Sequence, residues 1–380
     1  MKTEKFMLLS TCLQIFVIWL SGTRVLSKSL HSSCLCADPS LCEQIRTQPD
    51  KEIFVFRTKD TWKYYDWSKV TTVAMFFDFE PDLMCTAHAN NARLVLTASF
   101  PKENLTNADD RHRWIEGKVK QALDFHVDGI NFDFESPLTE PDRIHHFTVL
   151  VNETTQAFHQ HIPGSQVTVD VAYTPACSVE SSYRCYDYVG LASAADFMFV
   201  MGYDEQDFME EYGECEARAN APYERTVKGI EDYLKLGIPT SKLVLGVPWY
   251  GYTYPCQKLS GTKCVIKNEP VWPLCSEDAG DEKHYRDVMN LMEYNSTTQR
   301  LWSDKYKSPY FNYIKSSTNQ THQMWYDDPE SLKYKYSYAK LRGLRGVGPW
   351  NGDALDYSDD PRAKKETKDM WDALSVFLDP

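Results

Sequence analysis

Two acidic residues at the end of a short apolar segment have the spacing that acid catalysis requires. The segment reads DGINFDFE at positions 128–135. In a β-strand alternate side chains point to opposite faces, so Asn131, Asp133 and Glu135 would share one face. Asp133 and Glu135 then stand about 6–7 Å apart, where one carboxylate disfavours ionisation of the other. Burial adds to this effect, so the pair predicts a protonated carboxyl that acts as an acid beside an ionised one.

The competing interpretation of this segment is an ordinary amphipathic strand whose polar face meets solvent. Phenylalanines alternate with the acidic positions, and burial of unpaired charges is costly. The regular alternation of strands and helices along the chain favours a strand whose polar face lines an interior. Asp128 precedes that face and is predicted to be a structural hydrogen-bond acceptor.

The rest of the chain supplies the elements that must position this strand. Eight β-branched or aromatic runs predict buried strands: Ile53–Phe56, Thr72–Phe77, Arg93–Ala98, Val127–Phe134, Gln166–Ala172, Asp196–Met201, Leu243–Trp249 and Leu344–Trp350. Helix-like stretches lie between them: Ala108–Phe125, Arg143–His161, Tyr223–Leu236 and Asp328–Leu341. This alternation predicts an α/β fold, a (β/α)₈ TIM barrel, in which Glu135 lies at the catalytic, carboxyl end of the fourth strand. An open doubly wound sheet is the alternative, but no glycine-rich dinucleotide motif follows the first strand.

One long interval interrupts the alternation. Between Trp249 and Leu344 the chain is rich in Tyr, Trp, Pro and Cys. A structureless loop of this length is improbable in a compact domain. Residues 252–325 are therefore predicted to form a small α+β subdomain inserted between strands seven and eight of a catalytic barrel that spans residues 38–380.

The amino terminus has the pattern of a secretory leader. Lys2 and Lys5 precede an apolar run from Phe6 to Leu20, which is typical of a signal peptide. A transmembrane anchor is the alternative, but it normally needs about 20 apolar residues. Residues 1–37 are predicted to be the signal peptide, with cleavage between about residues 22 and 37.

Cysteine usage agrees with an oxidising compartment. The chain has 11 cysteines, and removal of Cys12 with the leader leaves ten, or eight if cleavage after Ala37 also removes Cys34 and Cys36. Both counts are even, as expected of disulfide pairs. The spacing predicts local pairs between Cys177 and Cys185, and between Cys256 and either Cys264 or Cys275.

Four sequons of the form Asn-x-Ser/Thr accompany the leader and predict a glycoprotein. They begin at Asn104, Asn152, Asn295 and Asn319. Together with the leader, they favour passage through the secretory pathway.

Composition excludes several classes of partner. The chain has 54 acidic and 41 basic side chains and a net charge of −13, which opposes binding to nucleic acid. No second apolar run of membrane length follows the leader, so no membrane partner is expected. Neither paired CxxC motifs nor HExxH occurs, so we expect no metal and no cofactor. We expect a monomer.

Residues 128–135 resemble the DGxDxDxE signature of glycoside hydrolase family 18, the chitinase family. Three further segments are similar to that family: Met201-Gly202-Tyr203-Asp204 to its Met-x-Tyr-Asp, Trp350 to its substrate-floor tryptophan, and residues 325–331 to the segment that follows its inserted subdomain. The resemblance covers most of the chain after the leader. Two positions depart from it. Asn131 replaces the usual Asp, and TASF at positions 97–100 replaces Ser-x-Gly-Gly of the third strand.

The resemblance implies hydrolysis of β-1,4 N-acetylglucosamine linkages by a retaining, substrate-assisted mechanism. Glu135 would be the acid and then the base, and Asp133 would hold the acetamido N–H of the substrate. Tyr203 would hydrogen-bond the acetamido oxygen. The implied substrate-binding residues are Asn131, Met201, Asp204 and Trp350. The implied substrates are the chitobiose core of N-linked oligosaccharides and small chitooligosaccharides, in the lysosome or, alternatively, outside the cell.

Two alternatives share the same barrel: an endo-chitinase, and a chitin-binding lectin that lacks activity. A lectin normally lacks the acid residue, whereas Glu135 is present. The residues do not separate exo from endo action. Because Asn131 removes one charge, we expect Asp133 to share a proton with Glu135 alone and the pH profile to be more acidic than that of ordinary chitinases.

Overall fold

The computed structural model describes residues 34–205, 215–266 and 280–379. Most of the predicted leader, residues 1–33, therefore lies outside the described residues, as does Cys275. Along the described ranges, no helix combines the length and the apolar character needed to cross a bilayer.

Three sheets contain the strands of the described residues. The first seven strands belong to the largest sheet: β1 (Glu52–Arg57), β2 (Thr72–Met75), β3 (Arg93–Ala98), β4 (Gly129–Phe132), β5 (Gln166–Ala172), β6 (Phe197–Met201) and β7 (Leu243–Pro248). The next seven form two smaller antiparallel sheets: β8 (Tyr250–Pro255), β9 (Lys258–Ser260), β10 (Lys263–Val265), β11 (Asp281–His284), β12 (Leu301–Ser303), β13 (Ser308–Lys315) and β14 (Gln320–Tyr326). The last strand, β15 (Gly346–Trp350), pairs in parallel with β1 and β7 and closes the large sheet into a barrel.

The α-helices are α1 (Pro81–Ala89), α2 (Ala108–Phe125), α3 (Pro141–His161), α4 (Tyr188–Ala194), α5 (Tyr223–Lys235), α6 (Tyr285–Asn295), α7 (Pro329–Arg342), α8 (Pro361–Ala373) and α9 (Ser375–Leu378). A helix follows each barrel strand except β1, whose connection to β2 contains the 3₁₀ turn Asp60–Tyr64. The prediction of a (β/α)₈ barrel is confirmed, and all eight predicted strands occur in it.

The aromatic face of the fourth strand packs beneath the helices, as predicted. Phe132 and Phe134 are fully buried, and the ring of Phe134 stacks on Phe147 of α3 at 4.4 Å between centroids. The strand itself ends at Phe132, earlier than expected. The Asp133 N–H still donates to the Ala98 carbonyl of β3 at 3.0 Å, so Asp133 remains fixed to the barrel wall.

The inserted subdomain is an antiparallel sheet of order β11-β8-β14-β13-β12, with α6 in the chain between β11 and β12. Its sheet extends from Tyr250 to Tyr326, slightly beyond the predicted residues 252–325. The disulfide Cys256–Cys264 joins the residue that follows β8 to β10. The structure thus selects Cys264 over Cys275 as the partner of Cys256.

Asp128 anchors the segment that precedes the barrel. One carboxylate oxygen accepts from the backbone N–H of Ile45 at 2.7 Å, and the other accepts from that of Leu94 at 2.8 Å. The second oxygen also contacts Nε2 of His88 at 2.8 Å. Asp128 is fully buried, so its predicted role as a structural acceptor is confirmed.

His88 contacts two acceptors at once. Its Nδ1 lies 2.6 Å from the Leu41 carbonyl oxygen, and its Nε2 faces the Asp128 carboxylate. Both contacts become hydrogen bonds only when both ring nitrogens carry protons. The disulfides Cys34–Cys42 and Cys36–Cys85 cross-link the same segment. The fold therefore favours a histidinium at this position.

We expect His88 to make the protein more stable at pH 5 than at pH 8. Burial alone lowers the pKa of His88, but the hydrogen bond and charge of Asp128 outweigh it and raise the pKa above 6.5. This contribution is complete below the unfolded pKa of about 6.5 and is lost as pH rises through the folded value. In thermal unfolding, His88→Gln should shrink the difference in Tm between the two pH values. His112→Gln, at an exposed helical position, should leave it unchanged; equal behaviour of the two variants would contradict the assignment.

Candidate active site

A cleft of about 420 Å³ opens where the barrel strands end. The predicted site residues that line it are Asp133, Glu135, Met201, Tyr203, Asp204 and Trp350. Asn131 is fully buried and does not line the cleft. The barrel thus brings together residues that lie more than 200 positions apart in the chain.

Asp133 and Glu135 differ in environment although they are two residues apart. Burial, followed by the charge of Glu135 and a hydrogen bond to it, raises the pKa of Asp133 to about 7. The Glu135 side chain is 46 % exposed, and its Oε2 lies 2.5 Å from Nη2 of Arg184. The pair therefore places a carboxyl that holds a proton near neutrality beside the carboxyl of Glu135, which reaches the open cleft.

Asp170 adds a third carboxyl that was not predicted. It comes from β5 and is almost fully buried. Burial is the main cause of its raised pKa, and the charge of Asp133 adds to it. Glu135 acts on the pKa of Asp133 through its charge and a hydrogen bond, whereas Asp170 and Asp133 interact through charge. That Asp133 shares a proton with Glu135 alone therefore stays a prediction.

Asn131 joins the fourth and fifth strands beneath the cleft. Its Nδ2 donates to Oδ1 of Asp170 at 2.8 Å and to Oγ1 of Thr168 at 3.0 Å. The strand register sets this contact, since Asn131 is paired with Thr168 across β4 and β5. A contribution of Asn131 to substrate binding would therefore act through Asp170.

The end of β6 presents a phenol and a carboxyl to the cleft. Burial and the surrounding carboxylates raise the pKa of Tyr203, so its hydroxyl stays a hydrogen-bond donor. Asp204 follows in the left-handed region with φ of 56°. Its Oδ1 accepts from the hydroxyls of Tyr250 at 2.6 Å and Tyr252 at 3.0 Å. Burial raises the pKa of Asp204 against these two hydrogen bonds.

Trp350 supplies an aromatic surface at the end of β15. Its ring packs 5.1 Å from Phe56 and 5.2 Å from Phe76, measured between centroids. It is only partly buried and lines the cleft. Aromatic faces of this kind suit sugar rings, whose C–H surfaces are apolar.

Arg184 is a second cleft residue that was not predicted from the sequence. It lies in the connection between β5 and α4, which the disulfide Cys177–Cys185 closes into a loop. This pair was predicted, so the spacing of the two cysteines already marked a fixed loop. Nothing in the local sequence indicated that its arginine meets Glu135.

We expect Asn131→Asp to destabilise the protein more at pH 7.5 than at pH 5. The new carboxyl would lie at hydrogen-bond distance from Asp170, and two carboxyls in one buried site cannot both ionise. Because holding one of them protonated costs about 1.4 kcal/mol per pKa unit, the penalty grows as pH rises above the ordinary carboxyl range.

Thermal unfolding of the Asn131 variant at both pH values measures this effect. Asn152→Asp, at an exposed position of α3, is the matched control and should cost little at either pH. Equal destabilisation of Asn131→Asp at pH 5 and pH 7.5 would contradict the buried-pair argument.

Three of the predicted sequon asparagines are exposed: Asn152, Asn295 and Asn319. Asn104 is only partly exposed, at the end of a 3₁₀ turn. Glycosylation at these positions stays a prediction.

Fold and sequence together define the class. Residues 97–354 match the sequence model of glycosyl hydrolases family 18, and the chain belongs to this family and is a glycoside hydrolase. It is 44% identical to di-N-acetylchitobiase of Mus musculus over 93% of its length and 96% of that protein. It is 43% identical to di-N-acetylchitobiase of Homo sapiens over 91% of its length and 89% of that protein.

Solved structures support the same fold at lower identity. A Group IV chitinase of Ostrinia furnacalis in complex with allosamidin superimposes with a TM-score of 0.67 and 19% identity, covering 87% of this chain and 99% of that one. A class V chitinase from Nicotiana tobaccum gives a TM-score of 0.66 and 18% identity, covering 87% of this chain and 100% of that one.

Proposed function

We propose that the protein hydrolyses β-1,4 linkages between N-acetylglucosamine residues in short oligosaccharides, including the chitobiose core of N-linked glycans. The observation that carries the proposal is the proton-holding Asp133 beside Glu135 at the opening of the cleft. Similarity to proteins named di-N-acetylchitobiase supports the choice of substrate. The cleft volume of about 420 Å³ falls within the range of pockets that bind small ligands.

In the first step the proton shared by Asp133 and Glu135 moves to Glu135 and from there to the glycosidic oxygen, and the bond from that oxygen to the anomeric carbon breaks. The carbonyl oxygen of the substrate's own 2-acetamido group attacks the anomeric carbon, which forms an oxazolinium ion. Asp133 accepts a hydrogen bond from the acetamido N–H, and the Tyr203 hydroxyl donates one to the acetamido oxygen. These contacts hold the nucleophile and stabilise its developing charge.

In the second step the Glu135 carboxylate removes a proton from water. The water oxygen bonds to the anomeric carbon on the face that the leaving sugar occupied, and the acetamido oxygen departs. Two displacements at one carbon retain its configuration, and Glu135 regains its proton. Met201 and Trp350 shape the apolar side of the same subsite, and Asp204 supports it from β6.

The test is release of free N-acetylglucosamine from di-N-acetylchitobiose, with the anomeric form of the product followed by NMR. The proposal expects the β-anomer first. An α-anomer formed first would contradict retention. Binding of chitobiose without turnover would favour the lectin alternative, and a reducing-end-labelled oligomer cut only internally would favour the endo-chitinase.

We infer a lysosomal destination reached through the secretory pathway, with secretion as the alternative. Support comes from the predicted leader, the exposed sequons and the disulfides. Cys34 and Cys36 are both disulfide-bonded, which favours leader cleavage before Cys34. Co-fractionation of the expressed protein with lysosomal markers tests the destination, the amino-terminal sequence of the purified protein tests the cleavage, and light scattering tests the proposed monomer.

A further inference from the structure

Acidic side chains dominate the lining of the cleft, and one cation lies among them. Six carboxyl groups line it: those of Asp133, Glu135, Asp170, Glu180, Asp204 and Glu282. Among the lining residues in the described part of the chain, Arg184 is the only lysine or arginine. The other titratable lining groups are the phenols of Tyr173, Tyr203, Tyr250 and Tyr252. Arg184 therefore supplies the guanidinium at the cleft surface, and of the six carboxyls Glu180 also pairs with Arg225, at 3.2 Å.

Arg184 contacts both the side chain and the backbone of Glu135. Its Nη2 lies 2.5 Å from the carboxylate Oε2. Its Nε donates to the backbone carbonyl oxygen of the same residue at 3.2 Å. The Arg184 side chain is only 16 % exposed. A guanidinium held by both a carboxylate and a carbonyl fixes position as well as charge.

A disulfide and two backbone hydrogen bonds fix the loop that carries Arg184. The disulfide Cys177–Cys185 closes the loop. On either side of Arg184, the Tyr183 carbonyl accepts from the N–H of Leu138, and the N–H of Cys185 donates to the Leu138 carbonyl, each at 3.1 Å. Leu138 lies three residues beyond Glu135, so the arginine is tied to the same stretch of backbone as its partner.

We propose that Arg184 is a positioning residue that fixes the Glu135 carboxyl at the cleft opening and sets the pH at which the carboxyl cluster loses its catalytic proton. The inference rests on the proposed function and names a further residue of that site. The physical basis is that a nearby positive charge favours the ionised form of every carboxyl around it.

The effect of Arg184 extends past its direct partner. Burial is the main influence on Asp133, Asp170 and Asp204 and raises the pKa of each. The charge of Arg184 lowers the pKa of all three and so opposes burial. Without this charge, the cluster would keep its shared proton to higher pH.

The test is the pH dependence of kcat/KM for chitobiose in Arg184→Gln. We expect the alkaline limb of the kcat/KM profile to move to higher pH by about one unit, because the carboxyls lose a nearby positive charge. We also expect kcat on the acidic plateau to fall about tenfold, because Glu135 is no longer held in place. Arg184→Lys keeps the positive charge but loses the paired contacts with the carboxylate and the backbone carbonyl of Glu135. It should therefore retain the alkaline limb of the pH profile while kcat falls.

Two controls separate this inference from its alternatives. Arg143→Gln removes an arginine that pairs with Glu140 on the outer helix α3 and should leave both the limb and kcat unchanged. Loss of activity in Arg184→Gln with an unmoved limb, or full kcat in Arg184→Lys, would overturn the proposal. If Arg184→Gln does not fold, Arg184→Lys is the test. A retained alkaline limb with reduced kcat supports the proposal, and full kcat overturns it. Full activity of Glu135→Gln would instead refute the proposed function, so the two failures are distinguishable.

Discussion

Glu135→Gln should lower kcat for chitobiose by about 10³-fold while the affinity for substrate changes little. The amide has the size of the carboxyl but can neither donate the proton to the glycosidic oxygen nor activate water. Glu135 reaches the open cleft with nearly half of its side chain exposed, and an amide at this position keeps an oxygen that can accept from Nη2 of Arg184. Steady-state kinetics on purified protein measure the effect.

The matched control for this experiment is Glu140→Gln, a change of the same chemistry at an exposed position. It should retain the kinetics of the unmodified protein. Isothermal titration with chitobiose shows whether the Glu135 variant still binds. A Glu135 variant with more than a tenth of the normal kcat would exclude this residue as the acid.

Asp133→Asn should lower kcat by about 10²-fold and remove the pH-dependent limb near neutrality. Asp133 has a pKa of about 7, raised by burial and by Glu135. In the unmodified protein the shared proton is therefore present below this pH and is lost above it. The asparagine holds no exchangeable acid proton, so activity should no longer fall through this range. The pH profile of kcat/KM measures both effects.

Asp170→Asn is the informative comparison for this variant. It removes the buried carboxyl next to Asp133 but leaves the Asp133–Glu135 pair intact. The limb should persist near pH 7, because burial and Glu135, which raise the pKa of Asp133, both remain. If Asp133→Asn keeps a limb near pH 7, the ionisation belongs to another group, and the assignment to Asp133 is wrong.

The barrel was predictable from the sequence because its strands are locally distinctive. Each is a short apolar run, and burial on both faces of a parallel strand imposes that pattern independently of distant residues. The connection between β1 and β2 and the short helix α4 were harder to predict, since each contains only about two turns or fewer and gives no clear helical period. The pair Asp133 and Glu135 was predictable for the same local reason as the strands.

Asp170 and Arg184 could not be assigned in this way, although one signal was present. In β5, polar residues at positions 166, 168 and 170 alternate with valines, which indicates a polar interior face. That Asp170 meets Asn131 depends on the register between β4 and β5. Arg184 reaches Glu135 through the path of a loop. Both contacts are consequences of tertiary packing, which single-strand periodicity does not determine.

The close junction between β7 and β8 has a consequence for protein engineering. Only Trp249 separates the barrel strand from the first strand of the insertion, and β8 is flanked by β11 and β14 on its two sides. The hydroxyls of Tyr250 and Tyr252 on this strand hold Asp204. A minimal enzyme made by excising the insertion would lose part of the cleft wall. Chimaeras between relatives should therefore exchange β6 and the insertion together, with the crossover placed before β6.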